Sequence, residues 1–390
     1  MPSTPAAPAL DPRLTQRFLV ASGLNGLVFG LEISALPLYF LSLGLPPPLY
    51  GLLVGLAWLV SLVVRIPIGA LALRLGNRTL FRVGCWAFAP LSWALALAGS
   101  VPLFFAIRLL NGMARSLMVL PLRSWFTELC PRPRLAAELG RLNASFALGQ
   151  SLLGLLGGPV LLTALGPVPF LALLGALPLL IWWLLLPAPP DHPAASARAA
   201  AGKAAPQLLW AGALCGLAAN AGLSAHAAFI PQIVHEHGWP PPTVGLLLFI
   251  QGATTVLLAH HNGPLVARWG EAAPAITGLG LALLAAGTLY GIQTGAVLPL
   301  VAALTGAAAG MLPTLAMGLA ARALPSRSQG ISVHETYTSL GLGAGGFLGG
   351  LTAAWLGTPH AALLCCVPFA LGGLAAVLHV RDRLEPAGRG

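Results

Sequence analysis

Four ionised side chains, Glu32, Arg65, Arg108 and Arg115, stand inside stretches otherwise long and apolar enough to cross a bilayer. Placing such a group in a membrane costs about 2.5–3.5 kcal/mol, so each needs a partner or a watery cavity. Arg108, Asn111 and Arg115 are spaced i, i+3 and i+7, which puts them on one face of a helix. Asn25 precedes Glu32 by two helical turns and shares its face. At about 1.5 Å per residue from the outer ends of two antiparallel spans, Glu32 lies about 14 Å deep, Arg108 about 9 Å and Arg115 about 20 Å. The carboxylate is therefore level with the gap between the two guanidiniums. Two roles fit. Glu32 could clamp one arginine as a structural pair within one bundle. Alternatively, this face lines a central cavity, where the surplus cation attracts an anionic or strongly polar solute and Glu32 takes up a proton. Arginine suits the second role because its planar fork grips carboxylate or phosphate at two points and stays charged when desolvated.

Other polar groups are weaker candidates for the same chemistry. Asn220, His226, Gln232 and Gln251 in the seventh and eighth spans, with Tyr337 in the eleventh, offer neutral hydrogen bonds to a solute or simply satisfy helix contacts. His334 and Glu335, near the inner end of the eleventh span, cap it or face the cytosol. Arg65, in the inner third of the second span, holds an inner gate or snorkels to the headgroups. His235-Glu236-His237 and His260-His261 fall on opposite membrane sides, and no HExxH occurs, so no metal site is expected. Cys85, Cys130, Cys215, Cys365 and Cys366 show no CxxC spacing and read as reduced packing residues. No GxxxxGK[ST] loop is present. No cofactor is expected.

The elements that must position these groups follow from composition. Of 390 residues, 57% are hydrophobic and 8% charged, against about 25% charged in soluble domains. A soluble core could not hide that much apolar surface, so the excess must face lipid. Apolar runs predict an all-α integral membrane protein of twelve transmembrane helices at 17–41, 49–73, 79–99, 102–122, 140–165, 168–187, 207–233, 242–261, 272–292, 296–320, 332–356 and 360–380. Residues 17–187 and 207–380 form two six-helix bundles, joined by a Pro/Ala-rich linker at 188–206 and flanked by tails at 1–16 and 381–390. Apart from Arg65, Arg108 and Arg115, every Lys and Arg falls in a tail or connection, or at the span end beside one, on one side. The connections near 42–48, 100, 166, 234–241, 293 and 358 carry none. Basic loops stay inside, so both termini are expected in the cytoplasm and the protein in the cell membrane. The isoelectric point near 10.4 then reflects topology and anionic headgroups, and no nucleic acid is expected as a partner.

The two bundles are copies. At an offset of 194, Gly44-Leu45-Pro46-Pro47-Pro48 meets Gly238-Trp239-Pro240-Pro241-Pro242, and Gly51-Leu52-Leu53 meets Gly245-Leu246-Leu247. Gly69-Ala70-Leu71-Ala72-Leu73-Arg74-Leu75-Gly76-Asn77-Arg78 meets Gly263-Pro264-Leu265-Val266-Ala267-Arg268-Trp269-Gly270 over its first eight positions. Duplicated bundles with a binding site at their interface are a recurring transporter architecture. With Arg108-Leu109-Leu110-Asn111-Gly112 in the fourth span, these segments make the chain resemble the major facilitator superfamily over most of residues 17–380. Glycines in the fifth span (Gly149, Gly154, Gly157, Gly158) and eleventh span (Gly341, Gly343, Gly345, Gly346, Gly349, Gly350) fit the same family. The stretch from Tyr50-Gly51 to Gly76, with Arg65-Ile66-Pro67, is most similar to uncharacterised bacterial sugar-efflux-like members. The family's acidic residue in the loop motif is replaced by Leu73 and, in the second copy, by Ala267.

The resemblance implies two pseudo-symmetric bundles rocking about a central site. It makes Arg65, Gly69, Arg74, Gly76, Arg78, Gly263, Arg268 and Gly270 the gate and signature-loop positions. The expected function is secondary transport of a small polar organic solute by alternating access, with proton-coupled efflux first and uptake or exchange of an organic anion as the alternative. Lipid, the solute and protons are the expected partners of a monomer. A non-transporting receptor or intramembrane enzyme is the reading from another class; only ten acids are present, and Asp11, Asp191 and Asp382 fall in tails or linker.

Overall fold

The computed structural model describes residues 11–41, 44–130, 135–189, 205–324 and 327–384. The expected tails and the 188–206 linker lie largely outside them. The described residues form α-helices and short tighter or wider helical turns, with no strand among them. In the first half these are α1 (Pro12–Leu41), α2 (Pro47–Leu75), α3 (Asn77–Ala96), α4 (Val101–Leu129), α5 (Leu135–Leu148), α6 (Leu156–Leu165) and α7 (Pro167–Leu185). A π-helical segment, Gly149–Leu155, joins α5 to α6. The second half contains α8 (Pro206–Glu236), α9 (Pro242–Trp269), α10 (Ala272–Gly291), α11 (Leu298–Ala323), α12 (Arg327–Leu356) and α13 (Val367–His379), the last preceded by the 3-10 turn Pro359–Cys366.

Ten of the described helices are long and apolar enough to cross a membrane, or eleven when the bent α5–α6 pair counts as one span. The remaining membrane-length helix, α3, carries Arg78 and Arg82 in its first two turns. Several helices overrun the apolar runs. A proline opens α1 at position 12, where its missing N–H costs nothing. At its other end α4 runs on to Leu129, taking in Arg123 and Glu128, which the apolar boundary left in a connection. Charged residues are tolerated there because intrahelical hydrogen bonding, not hydropathy, decides where a helix stops.

The repeat is visible in the backbone. Gly44 and Gly76 have φ of 66° and 78°; their counterparts in the second copy, Gly238 and Gly270, have 66° and 76°. Such left-handed turns between helices admit glycine at little cost, which explains why the spacing survives in both copies. Side-chain bonds repeat as well. Ser61 Oγ donates to the Gly112 carbonyl at 3.2 Å, and Thr255 Oγ1, at the matching position of the second copy, donates to Gly306 at 3.0 Å. Asn77 Nδ2 donates to Glu128 Oε1 at 2.9 Å. At the matching positions Arg322 donates to Glu271, so the contact is kept and the donor changes sides.

The first half buries large aromatic rings, among them Phe18, Phe81, Phe88, Trp125 and Phe126. In the second half the buried positions are mainly Ala, Leu and Val, which lets the helices pack closely. Trp86, Trp93, Trp183, Trp210, Trp269 and Trp355 are exposed on the outside, as expected of rings that meet lipid and headgroups. All five cysteines are free and buried. The halves meet chiefly where α2 packs on α12 and where the π segment and α6 pack on α9. On the first of these seams a Cβ on Gly55 would lie 2.6 Å from the Gly343 carbonyl oxygen, so the close approach requires glycine.

Candidate functional site

Glu32 is 1% exposed, and the structure gives it both arginines rather than one. Arg108 Nη1 donates to its Oε1 and Arg115 Nη1 to its Oε2. The helical spacing accounts for this: α4 presents the two guanidiniums two turns apart, and α1 passes between them at the depth of Glu32. Arg108 Nη1 also donates to Asn111 Oδ1 at 3.3 Å, while Asn111 Nδ2 donates to Ser92 Oγ on α3 at 3.5 Å. Asn111 therefore braces Arg108 from inside the first half. Arg115 rests against two rings, its guanidinium carbon 4.1 Å from the Phe29 centroid and 4.2 Å from that of Trp58. A cation over aromatic faces gains about 0.5–2 kcal/mol, more when water is excluded.

Glu32, Arg108, Arg115 and Trp58 line one internal cavity, whereas Asn111, expected there, stands behind the wall. Its wall comprises Glu32, Arg108, Arg115 and Trp58 with Gln150 of the π segment from the first half, and Ser224, Gln251, Leu223, Ala227 and Leu342 from the second. Ile33, Leu36, Pro37, Phe40 and Val54 complete an apolar side. Two cations face one anion, so the lining carries a surplus positive charge. Of the second-half candidates, only Gln251 lines this cavity. His226 stands behind it, Nδ1 donating to Gln251 Oε1 at 3.1 Å. Asn220 is turned back to the Gly216 carbonyl of its own helix at 2.8 Å, and Gln232 bonds Glu236 at the end of α8. Tyr337 is half-buried on α12 and Asn25 buried on α1, both outside the cavity wall. Trp58, Gln150 and Ser224 were not anticipated. Gln150 carries the signal that marked Gln251, an amide inside a span, and for Trp58 only the pseudo-symmetry (Ala57 matches Gln251) points toward this turn of α2.

A second charged cluster joins the halves toward the end of the molecule where α1 begins and α2 ends. Glu335, expected to cap α12 or face water, is buried between Arg65 of α2 and Arg123 of α4. Arg65 Nη1 reaches Oε2 at 3.3 Å and also donates to the Glu335 main-chain carbonyl, and Arg123 Nη1 donates to Oε1. The expectation failed because α12 begins at Arg327, two turns before Glu335, which carries the acid inward and under the first half. Toward the opposite end, Tyr50 Oη of α2 donates to the Ala228 carbonyl of α8. Cross-half bonds thus stand above and below the cavity.

The signature-loop residues serve the turns. Gly76 and Gly270 end α2 and α9. Arg78 donates to the Leu186 carbonyl at 2.8 Å and lies 5.9 Å from both the Trp125 and Trp182 rings. Arg268 lies over Trp269 at 5.5 Å, and Arg74 is exposed in the last turn of α2. Gly263 sits inside α9 with open space around it; Gly69 lies within α2. Among the described residues, no group of three or more His, Cys, Asp or Glu side chains could hold a metal ion.

The same architecture occurs in solved transporters. A D-xylose-proton symporter superposes with a TM-score of 0.75 at 16% identity, covering 97% of this chain and 98% of that one. A variant of the nucleoside transporter NupG gives 0.74 at 13% identity, covering 95% and 100%. A bacterial homologue of the human lysosomal transporter Spinster, inward-facing and unoccupied, gives 0.70 at 14%, covering 96% of each. None of the curated proteins matches in sequence. The family model described as Major Facilitator Superfamily matches residues 18–224 and again 212–389, together nearly the whole chain. Two copies of a six-helix bundle, a polar cavity on their seam and a family match over nearly the whole chain make it an integral membrane protein of the Major Facilitator Superfamily, a transporter and not an enzyme.

Proposed function

We propose that the protein is a secondary transporter of a small organic anion, working by alternating access and exchanging one anion for another. The observation that carries this reading is the cavity's charge: Arg108 and Arg115 against Glu32 alone. A monoanion brings the site to neutrality. Empty, the site keeps an uncompensated cation away from water, and such a charge is costly to enclose. Reorientation is then easier loaded than empty, which is the condition for exchange. The apolar side formed by Ile33, Leu36, Phe40 and Val54 suits a solute with a hydrocarbon body.

Proton-driven efflux, the first expectation from sequence, needs Glu32 to give up its charge during the cycle. That step would strand two buried guanidiniums unless solute replaced the carboxylate. The symport named for one structural neighbour, of xylose with protons, involves a neutral sugar, for which the surplus cation here has no use. The orientation proposed is that of the basic loops, with the Glu335 cluster toward the cytoplasm.

Counterflow in proteoliposomes tests the reading. Vesicles loaded with a mixture of lactate, gluconate and benzenesulfonate should take up the labelled acids faster than empty vesicles, and a pH gradient should add nothing. Movement driven by the pH gradient in empty vesicles would restore the proton mechanism. Ser224→Cys, a near-isosteric change in the cavity wall, should react with an impermeant maleimide from either membrane face.

A further inference from the structure

The second half contributes to the cavity a pair whose arrangement the exchange reading does not use. His226 holds in the second copy the position that Glu32 holds in the first, the same place on α8 as Glu32 on α1. It is 1% exposed, and Gln251 of α9 is 2% exposed. An amide oxygen can only accept, so across the 3.1 Å contact it is the Nδ1–H tautomer of His226 that donates to Gln251 Oε1, while His226 Nε2 has no partner. With its oxygen held, the amide turns the other end away: Gln251 Nε2 has no partner, although Gln251 is part of the cavity wall. On the facing wall Arg108 Nε is also without a partner. A buried donor left unmade costs free energy that a ligand oxygen would recover.

We propose that His226 is a positioning residue that locks Gln251 with its N–H₂ toward the cavity, so that the second half supplies a donor to the anionic group held by the arginines of the first. The inference rests on the organic-anion reading and adds the specificity. A solute with two acceptor oxygens on one charged head bridges Arg108 and Gln251 across the seam, and a neutral amide of the same shape, which must present N–H to one of them, is rejected. Glu32 and His226 thereby divide one inherited position into two tasks. Glu32 holds the cations, and His226 holds the amide.

The test compares benzoate with benzamide, alike in shape and different in charge, by thermal stabilisation of the purified full-length protein. The parent should prefer benzoate by about tenfold or more in apparent affinity, the scale of one charge-assisted hydrogen bond. His226→Leu, which leaves the amide free to turn its oxygen inward, should cut that preference several-fold. His226→Asn, whose Nδ2 stands the same number of bonds from the backbone as His Nδ1, should retain it. Gln251→Met should match His226→Leu and provides the answer should that variant not fold. A parent that binds both compounds equally overturns the anion reading itself. A parent that discriminates while His226→Leu and Gln251→Met discriminate just as well overturns the positioning role and leaves anion exchange standing.

Discussion

At the scale of single residues, the site is one carboxylate shared by two arginines in a place that water reaches poorly. Removing the acid should do more harm than removing a cation, because an unpaired buried charge is worse than a lost pair. Glu32→Gln is expected to destabilise the protein by about 3–5 kcal/mol, read as a lowered melting temperature in detergent. The double change Glu32→Gln with Arg108→Gln should recover much of that loss. An additive double variant would show that the three groups do not act as a unit. Arg115→Lys keeps the charge but loses the flat guanidinium that lies against Phe29 and Trp58. Anion binding should weaken about tenfold while the fold survives. Much of this was legible from residue types and spacing alone, since depth and helical phase already set Glu32 level with Arg108 and Arg115. What spacing could not tell was rotamer. Asn111 shares the face of Arg108, yet its amide turns to Ser92, and Asn220 turns back on Gly216.

At the scale of helices, the sequence announced its elements through apolar runs and glycine turns. It misjudged an end where charged residues continued a helix beyond its apolar run, as in α4. Arg123 was left to a connection for that reason and Glu335 to the inner end of the eleventh span, and their pairing joins helices from opposite halves of the chain, a contact no local pattern encodes. The repeat provides what local pattern does not. Asn77–Glu128 and Glu271–Arg322 are one contact written in two alphabets. Converting the first into the second gives a clean cycle. Asn77→Glu alone sets two carboxylates together and should cost about 1 kcal/mol. Adding Glu128→Arg should recover it, measured by denaturation of the double and both single variants. Failure of the double to improve on Asn77→Glu would mean that the two turns differ in backbone as well as in side chain.

For the whole molecule, the cluster of Arg65, Arg123 and Glu335 matters because it joins halves that, in the proposed cycle, separate for solute to leave on that side. Glu335→Gln should shift the population toward the form open at this end. Labelling of Ser224→Cys from that face should then rise about tenfold, a coupling of ordinary size for two states of one protein. Labelling from the opposite face should fall in step, since one population grows at the expense of the other. An equal rise from both faces would indicate loosened packing rather than a gate.

The π-helical segment Gly149–Leu155 has a consequence for the pseudo-symmetry as a whole. Up to Glu128 and Arg322 the halves keep one constant offset, yet the glycines that close the fifth and eleventh spans, Gly166 and Gly357, fall short of it by three positions. The first half thus uses more chain over this stretch, and a widened coil is one way a membrane pass absorbs the surplus without growing longer. Beyond such a coil the side chains are reset in phase, and Gln150 lies within it, on the cavity wall. Duplication made the two bundles alike; the slipped count in one of them is where they became free to differ, and it falls where α6 leans on α9. Shortening that coil by a residue would swing Gln150 out of the cavity by about 100° and return the seam toward the plainer twin from which it departed.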